Sequence, residues 1–454
     1  MPIKRVLRPL ALVIPLALFV EPNVSSQAIV TPTSIPAGLN PARTSVSGRS
    51  DWPQWRGPGG HAISEETGLP LTWSDTGNLA WMVEIEGRGH SSPSVWGNRV
   101  FLTTAVQGKE VPGAGPPVHT FGGEVCRHPD SMGANFSHTL KVLAFDASTG
   151  ERVWEQVAYE GRVFDDRHRR SSYAGPTVTT DGEYVYAYFG PEGLYCYDFD
   201  GTLVWQAEIG KIKTEGLGIG TSPVIYENLV IIADDENEGA DSFIVALDRL
   251  TGEEVRNKSR PVQASWATPL LVTAPNGRTH LVVSGNELLL SYDPATGEEL
   301  WRTEGLMSHA IHSPLASGDM VYLTSGFPRN VLRAFRLDAD GNLDGSESLV
   351  WEYRKGMAYV TSNIVYRGHV YLFNDGGVVT CLDALTGEIV YEGGRPPVPG
   401  NFKSSPVTYD GKILIASDEW ARLGTALCHR RRTHHHFDQR LCSAGRTSRP
   451  TNSI

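Results

Sequence analysis

Cysteine and histidine side chains, the usual ligands of zinc, gather near the end of the 454-residue chain. They are Cys428, His429, His434, His435, His436 and Cys442. A structural zinc site needs two close pairs of ligands within a folded knuckle, and these spacings do not provide them. The sequence therefore predicts no metal site in this segment.

A second set of polar and aromatic side chains stands just before a short motif of small residues that recurs along the chain. The motif reads "SSP", "AGP", "TSP", "ATP", "HSP", "TSN" and again "SSP". Such groups form a binding site when a fold brings them together, and otherwise they are ordinary solvated loop residues. The set is His90, Arg170, Tyr173, Glu215, Trp266, His309, His312, Tyr359 and Lys403.

The elements that would position these side chains are copies of one repeat. The last six motifs end at residues spaced 47, 46, 45, 49 and 43 apart, and an insertion at 106–139 lengthens the first interval. Each motif precedes short stretches of alternating apolar residues that are rich in β-branched and aromatic side chains, which predicts strands. Four strands per unit of about 46 residues are typical of a propeller blade. We therefore predict an all-β propeller of seven to eight blades, with the last blade or blades incomplete.

One phrase of the repeat has a clear physical role. In "AFDASTGERVW" (144–154), Asp146 can accept backbone hydrogen bonds and Gly150 can supply the positive φ of a tight turn. The Trp at the end is expected to cover its own sheet and to reach the next blade. Cys196 and Cys381 occupy a position that other copies fill with Ala or Ser, so we expect small buried thiols. The predicted docking residues are Asp146, Gly150, Trp154, Trp205, Trp301 and Trp351.

This phrase resembles the docking repeat of the pyrroloquinoline quinone (PQQ) family of propellers, Ala-x-Asp-x-x-Thr-Gly-x-x-x-Trp. The resemblance extends over about residues 79 to 419, whereas no copy carries the Gly-His and Trp-Asp signatures of WD repeats. The stretch "DWPQWRGPGG" (51–60) is similar to the leader of exported, BamB-like propellers from planctomycete-type bacteria. We interpret it as an apolar clasp on the rim of the propeller rather than as a ligand site.

The resemblance implies two alternative functions. PQQ-dependent alcohol or sugar dehydrogenases hold the quinone between a Trp and a disulfide of adjacent cysteines, beside a calcium ion bound by Glu, Asn and Asp. This chain has no adjacent cysteine pair, and Glu215 is the one carboxylate of the set. BamB-type assembly factors carry the same repeat without a cofactor. We therefore expect a non-enzymatic scaffold with no catalytic residue and no cofactor, and we keep a dehydrogenase with PQQ and calcium as the alternative.

The two ends of the chain differ from the repeat. Basic residues followed by "PLALVIPLALFV" predict a signal peptide at 1–28, and a Pro/Ser/Thr-rich linker follows at 29–50. Residues 51–87 are predicted to hold the clasp and a ring-closing strand, "LAWMVEIEG", ahead of the propeller at 88–419. The tail at 420–454 has seven Arg and one acid. It lacks the repeat, which predicts a disordered or frame-shifted segment that packs little.

Charge and export set the expected partners. The formal net charge of −11 disfavours nucleic acid, which requires a basic surface. The apolar run near the N-terminus is too short to span a bilayer comfortably. We therefore expect an exported, periplasmic or extracellular protein that does not span the membrane after signal cleavage. It is predicted to be a monomer that binds a protein or a glycan at the channel-mouth face, where the residues before the small motifs are expected to ring the central channel of the propeller.

Overall fold

A computed structural model describes residues 51–69, 78–121, 123–396, 400–417 and 425–428. The predicted signal peptide and linker, and the tail apart from 425–428, lie outside these described residues. Within them, no helix combines the length and the apolar character needed to cross a membrane. Regular structure consists of strands and two single 3-10 turns at Pro58–Gly60 and Gly190–Glu192.

The first ten strands extend from the N-terminal segment to the end of the insertion. They are β1 (Ile63–Ser64), β2 (Trp81–Glu84), β3 (Ser94–Trp96), β4 (Arg99–Glu110), β5 (His119–Phe121), β6 (Glu124–Cys126), β7 (Ser131–Met132), β8 (Phe136–Asp146), β9 (Arg152–Arg162) and β10 (Arg167–His168).

The next twelve strands follow with short connections. They are β11 (Thr179–Thr180), β12 (Tyr184–Tyr188), β13 (Leu194–Asp198), β14 (Leu203–Ala207), β15 (Val224–Tyr226), β16 (Leu229–Asp234), β17 (Phe243–Asp248), β18 (Glu254–Ser259), β19 (Leu270–Thr273), β20 (Thr279–Ser284), β21 (Leu288–Tyr292) and β22 (Glu299–Glu304).

The last twelve strands complete the described chain. They are β23 (Leu315–Ser317), β24 (Met320–Ser325), β25 (Val331–Arg336), β26 (Gly341–Asn342), β27 (Leu349–Tyr353), β28 (Ile364–Tyr366), β29 (His369–Phe373), β30 (Val379–Asp383), β31 (Ile389–Gly394), β32 (Val407–Tyr409), β33 (Lys412–Leu414) and β34 (Thr425–Cys428).

Six antiparallel sheets repeat one plan, which confirms the all-β prediction. Sheets 1 to 6 have the strand orders β3-β4-β8-β9, β11-β12-β13-β14, β15-β16-β17-β18, β19-β20-β21-β22, β23-β24-β25-β27 and β28-β29-β30-β31. The short strand β26 adds to sheet 4 in parallel with β22. Each sheet buries its second and third strands on both faces, so apolar residues follow one another there instead of alternating.

The small residue of the repeated phrase lies directly opposite the Trp. Ala144 pairs with Trp154, and Cys196 pairs with Trp205, in each case next to a register shift of the ladder. A small side chain leaves room for the indole on the same face of the sheet. This pairing gives the physical reason for the Ala, Ser or Cys slot, and both Cys196 and Cys381 are buried as expected.

The turn of one sheet receives the Trp of the preceding sheet. Trp154 donates its indole N–H to the Phe199 carbonyl at 2.9 Å, and Gly201 lies against its ring. Trp205 donates to Arg249 in the same way, and Trp351 donates to Ala384. A Cβ at Gly201 would lie 2.7 Å from the indole of Trp154, so glycine is required by the close approach as well as by its φ of 87°.

The recurring small motifs also link neighbouring sheets. In each link, a backbone N–H at the entry to one sheet donates to a hydroxyl at the entry to the next, which explains the preference for Ser and Thr. The links are Ser92 N to Thr177 Oγ1 (3.0 Å), Thr177 N to Ser222 Oγ (2.9 Å), Ser222 N to Thr268 Oγ1 (3.0 Å), Ser313 N to Ser362 Oγ (3.2 Å) and Ser362 N to Ser405 Oγ (3.1 Å).

The N-terminal segment 51–64 contacts the first strands, or the entries, of sheets far apart in the sequence. Its contacts are Trp52 N to Val95 O (2.7 Å), Pro53 O to Thr180 N (2.9 Å), Trp55 Nε1 to Ser313 Oγ (2.8 Å), Arg56 Nη2 to Asn363 O (2.9 Å) and Ala62 O to Thr408 N (2.9 Å). Strand β1 then pairs in parallel with β32. The segment thus touches sheets 1, 2, 5 and 6 and the last strands of the chain.

The predicted closing strand is β2, and its partner lies in the tail. Strand β2 pairs antiparallel with β34, with Trp81 opposite Cys428. Trp81 donates its indole N–H to Ala147 at 3.0 Å, as the other docking Trp residues do at their turns. Residues 425–428 of the predicted tail thus pair with the backbone groups of β2, which would otherwise form an open edge.

The insertion at 106–139 is more ordered than a surface loop. It extends β4 and β8 beyond their sheet and adds the hairpin β5-β6. His119 and His138 within it are buried. The reason is that residues 160–173, which follow the outer strand of sheet 1 and which we call the second insertion, pack against it through β10, which pairs with β7.

Candidate functional site

Three of the predicted side chains converge at the entries to sheets 3, 4 and 5. Glu215, Trp266 and His309 precede β15, β19 and β23 in turn. The His309 Nε2 lies 3.6 Å from the Glu215 Oε2, and the rings of His309 and Trp266 are 5.6 Å apart in an edge-to-face arrangement. Residues far apart in the sequence therefore meet on one face of the protein.

Two more aromatic side chains complete this group. Phe327 stacks on His309 with ring centroids 5.3 Å apart, and Tyr359 brings its hydroxyl to 3.3 Å from His309 Nδ1. Phe327 and Tyr359 are themselves 5.2 Å apart. We call Glu215, Trp266, His309, Phe327 and Tyr359 the mouth cluster. Phe327 was missed in the sequence because it follows β24 instead of preceding an entry motif.

The backbone of the mouth cluster is held in a rare conformation. Glu215 has φ 56° and His309 has φ 59°, which is the left-handed region that costs a residue with a Cβ about 1 kcal/mol or more. Both residues are on loops, and their side chains are partly buried and face each other. The surrounding contacts therefore offset a local cost to hold this pair in place.

The cluster presents an apolar surface to solvent. Phe327, Tyr359 and Val360 are among the exposed large hydrophobic side chains, with Phe327 43% exposed. Burial raises the pKa of Tyr359, and the Glu215 carboxylate adds to this effect, so the phenol stays protonated. The surface thus combines exposed aromatic rings with one partly buried carboxylate.

The other predicted residues of sheets 1 and 2 form a separate group. His90 Nδ1 lies 3.0 Å from Ser172 Oγ, and the carbonyl of Arg170 accepts a hydrogen bond from Arg88. Tyr173 packs edge-to-face on His138 with centroids 4.6 Å apart. These side chains support the two insertions.

His312 and Lys403 differ from the prediction that they belong to a set of exposed side chains around the channel mouth. His312 is buried, and burial lowers its pKa to about 4. It occupies the first position of its motif, which is also buried in the other copies, where it holds Ser, Thr or Ala. Lys403 forms an ion pair with Asp375, whose second oxygen accepts from the Tyr359 N–H at 3.4 Å, so Lys403 borders the mouth cluster.

A buried hydrogen bond between His119 and Asp165 lies beside the cluster, and sequence reasoning missed it. His119 Nε2 is 2.6 Å from Asp165 Oδ1, and the other Asp165 oxygen accepts from the Thr214 N–H at 3.1 Å. This contact ties both insertions to the loop that carries Glu215. The only sequence signal was the presence of His and Asp in adjacent inserted segments, which does not predict a contact.

The mouth cluster does not fit calcium with a quinone. Such a calcium ion needs several oxygen ligands around one point. Glu215 instead faces the imidazole of His309 and the ring of Trp266 beyond it. Among the described residues, no three His, Cys, Asp or Glu side chains are grouped so as to hold a metal.

Comparisons with known proteins locate the repeat in a family. The family model described as "Outer membrane protein assembly factor BamB" matches residues 139–265 and 240–419. The protein of that name from Burkholderia pseudomallei (strain K96243) is 30% identical over 187 residues, which are 40% of this chain. The match spans 45% of the length of that relative.

Solved structures of two kinds align with the chain. BamB from Moraxella catarrhalis aligns with 15% identity and a TM-score of 0.45, over 75% of this chain and 96% of that chain. A europium-containing methanol dehydrogenase aligns with 12% identity and a TM-score of 0.47, over 81% of this chain and 89% of that chain.

Proposed function

This chain belongs to the family of the outer membrane protein assembly factor BamB, and from that premise we propose that it is an exported, non-enzymatic β-propeller that binds a protein partner. Binding takes place at the face that carries the mouth cluster. The partner is a component or a client of outer membrane protein assembly, as the name of the family suggests.

The proposed architecture is a closed ring of seven blades. Sheets 1 to 6 are six of them, and β32, β33, β34 and β2 supply the four strands of the seventh. Two contacts between the ends of the chain support closure: β2 pairs with β34, and Trp81 reaches the turn after β8. The docking residues, from Asp146 and Gly150 to Trp351, then hold each blade to the next.

The binding proposal rests on one observation, the exposed aromatic surface of the mouth cluster. Phe327 and Tyr359 remain exposed although they pack on each other and on His309. Aromatic side chains that are rigid, central and only partly buried are the usual energetic centres of protein interfaces. Their apolar character favours an apolar side chain of a protein over a glycan at this position.

The test uses a defined peptide. A fluorescein-labelled octapeptide with alternating aromatic and polar residues, the pattern of an outer membrane strand, is titrated with the protein and followed by anisotropy. Replacing two central interface side chains with Ala lowers the binding free energy by at least about 2 kcal/mol. F327A/Y359A should therefore bind about 30-fold more weakly.

The matched control is V153A/L385A, which removes two exposed apolar side chains from other surfaces. It should bind the peptide as the unaltered protein does. Equal binding by the two double variants would contradict the proposal, as would the absence of binding by the unaltered protein. Unchanged melting temperatures show that both variants are folded.

A further inference from the structure

A cavity of about 690 Å³ lies between the outer strands of sheets 1 and 2, and no side chain of the mouth cluster lines it. It is bounded by the end of β9, by β14 and by the loops that follow these strands, and the insertion forms its rim through Val118. Its volume is in the range of cavities that hold small ligands, about 300–1,000 Å³. The proposed function does not use this cavity.

The aromatic wall of the cavity is rigid. Tyr159 donates its hydroxyl to the Arg162 carbonyl at 2.5 Å, and Tyr195 donates to the Glu192 carbonyl at 2.9 Å. Both phenol groups are therefore fixed by backbone acceptors. The rings, together with Phe164, form an apolar wall against which the C–H face of a flat, polar ligand can pack.

The polar lining contains acceptors for hydroxyl groups. Glu192 lies between the two sheets, and one of its carboxylate oxygens accepts from the Phe164 N–H at 2.7 Å. Gln206 and Glu208 also line the cavity, and both are exposed. Two carboxyl groups and an amide on one surface provide several acceptors, which matches a ligand with many hydroxyl donors.

Cations stand beside these acceptors. Arg162, Lys211 and Lys213 line the same cavity. Arg162 donates to the carbonyls of Ala134 and Gly115, and Lys213 donates to Val118 O at 2.8 Å, so these two groups are held in place. Lys211 is exposed at the opening. Three cations against two carboxyl groups make a locally positive site on a chain of net charge −11.

We propose that this cavity binds an acidic oligosaccharide, a ligand whose hydroxyls donate to Glu192, Gln206 and Glu208 and whose carboxylate pairs with Lys211. An apolar wall, several acceptors and an excess of cations favour this class over a neutral sugar. They favour it over an acidic peptide as well, because a peptide of acidic side chains brings few donors for the carboxyl groups. The site is independent of the mouth cluster and of its partner.

The charge of Glu192 gives the site a pH dependence. Burial raises the pKa of Glu192 to about 7. The charged and titratable groups around it are Asp165 and Lys211, with the phenols of Tyr159, Tyr173, Tyr188 and Tyr195. Below pH 7 Glu192 gains a proton, the cavity becomes more positive, and an anionic ligand should bind more tightly.

The experiment compares two trisaccharides by calorimetry on the full chain. The probes are the trimer of galacturonic acid and its neutral galactose counterpart. We expect the acidic trimer to bind at least tenfold more tightly than the neutral one, and more tightly at pH 6 than at pH 8. K211Q should weaken binding of the acidic trimer about tenfold, whereas the control K258Q, an exposed lysine on β18, should not.

Each other outcome overturns the proposal. Equal affinity for the two sugars would contradict the proposed preference for an acidic ligand. Binding of neither sugar would contradict the proposal that the cavity is a binding site. Tighter binding of triglutamate than of the acidic sugar would assign the cavity to peptides. E192Q provides a second test, because it should abolish the difference between pH 6 and pH 8 while the protein still binds the acidic trimer. Loss of peptide binding at the mouth cluster would leave all of these results unchanged.

Discussion

The docking hydrogen bond of the repeat can be measured with two matched variants, W154F and W301F. Both Trp residues end the repeated phrase, pair with a small residue on the neighbouring strand and are buried. Trp154 donates to the Phe199 carbonyl at 2.9 Å. The indole nitrogen of Trp301 is buried and has no hydrogen-bond partner within the described part of the chain.

The difference between the two variants isolates the hydrogen bond. Both substitutions remove similar apolar area, but W154F also removes a hydrogen bond with a net value of about 0.5–1.5 kcal/mol. W301F removes a buried donor without a partner, which offsets part of its packing loss. We therefore expect W154F to lower the free energy of unfolding by about 1–2 kcal/mol more than W301F, a ratio of about 5 to 30 in the folded equilibrium.

The assay is urea unfolding followed by far-UV circular dichroism, with the slope of the transition compared between variants. Equal slopes allow the midpoints to be read as stabilities. If W301F is destabilised as much as W154F, the indole–turn hydrogen bond does not contribute to the docking of blades. A larger effect at Trp301 would show that packing alone decides the role of these residues.

Three further predictions test other parts of the account. Truncation after residue 417 removes β34 and leaves the edge of β2 unpaired, so the melting temperature should fall, whereas truncation after 428 keeps the pair and should have little effect. Burial raises the pKa of Asp234 to about 7, above its value in the unfolded chain. Protonated Asp234 therefore adds to the free energy of unfolding at pH 4, and this contribution is lost as the pH rises through 7. D234N should flatten the decline in urea titrations. Added PQQ and calcium should give no dye-linked alcohol or sugar dehydrogenase activity; activity that disappears in E215A would contradict the non-enzymatic proposal.

The repeat made the sheets and their contacts predictable. Fixed intervals and the enrichment in β-branched and aromatic residues locate the strands, since both signals are local and recur. The slot opposite the Trp was readable as small because Ala144, Cys196 and Ser291 fill it in different copies. The Trp–turn contact follows from the same phrase.

The mouth cluster was predictable only in part. Glu215, Trp266, His309 and Tyr359 all stand one to six residues before a small motif, so a repeating fold brings them to one face. Phe327 lies on a different connection, and no periodicity in the sequence relates it to the others. Contacts made by short, irregular segments have no sequence period either. The sequence therefore did not predict which sheets segment 51–64 contacts.

His312 shows the limit of register arguments. Its position in the motif is held by Ser, Thr or Ala in the other copies, and the structure buries it as it buries them. Residue type suggested a ligand, but the direction of the side chain decides its environment. The same applies to His119 and Asp165, whose pairing depends on how two insertions pack.

Site-specific photo-crosslinking is the measurement that tests the binding proposal most directly. A benzophenone amino acid replaces Phe327 in the full chain, and the control carries it at Leu385, which is 63% exposed in the turn between β30 and β31. After irradiation in cells, we expect the variant at 327 to form one discrete adduct with a protein of outer membrane assembly, and we expect none at 385. The same adducts from both positions, or none from 327, would contradict the claim that the mouth cluster is a protein-binding face.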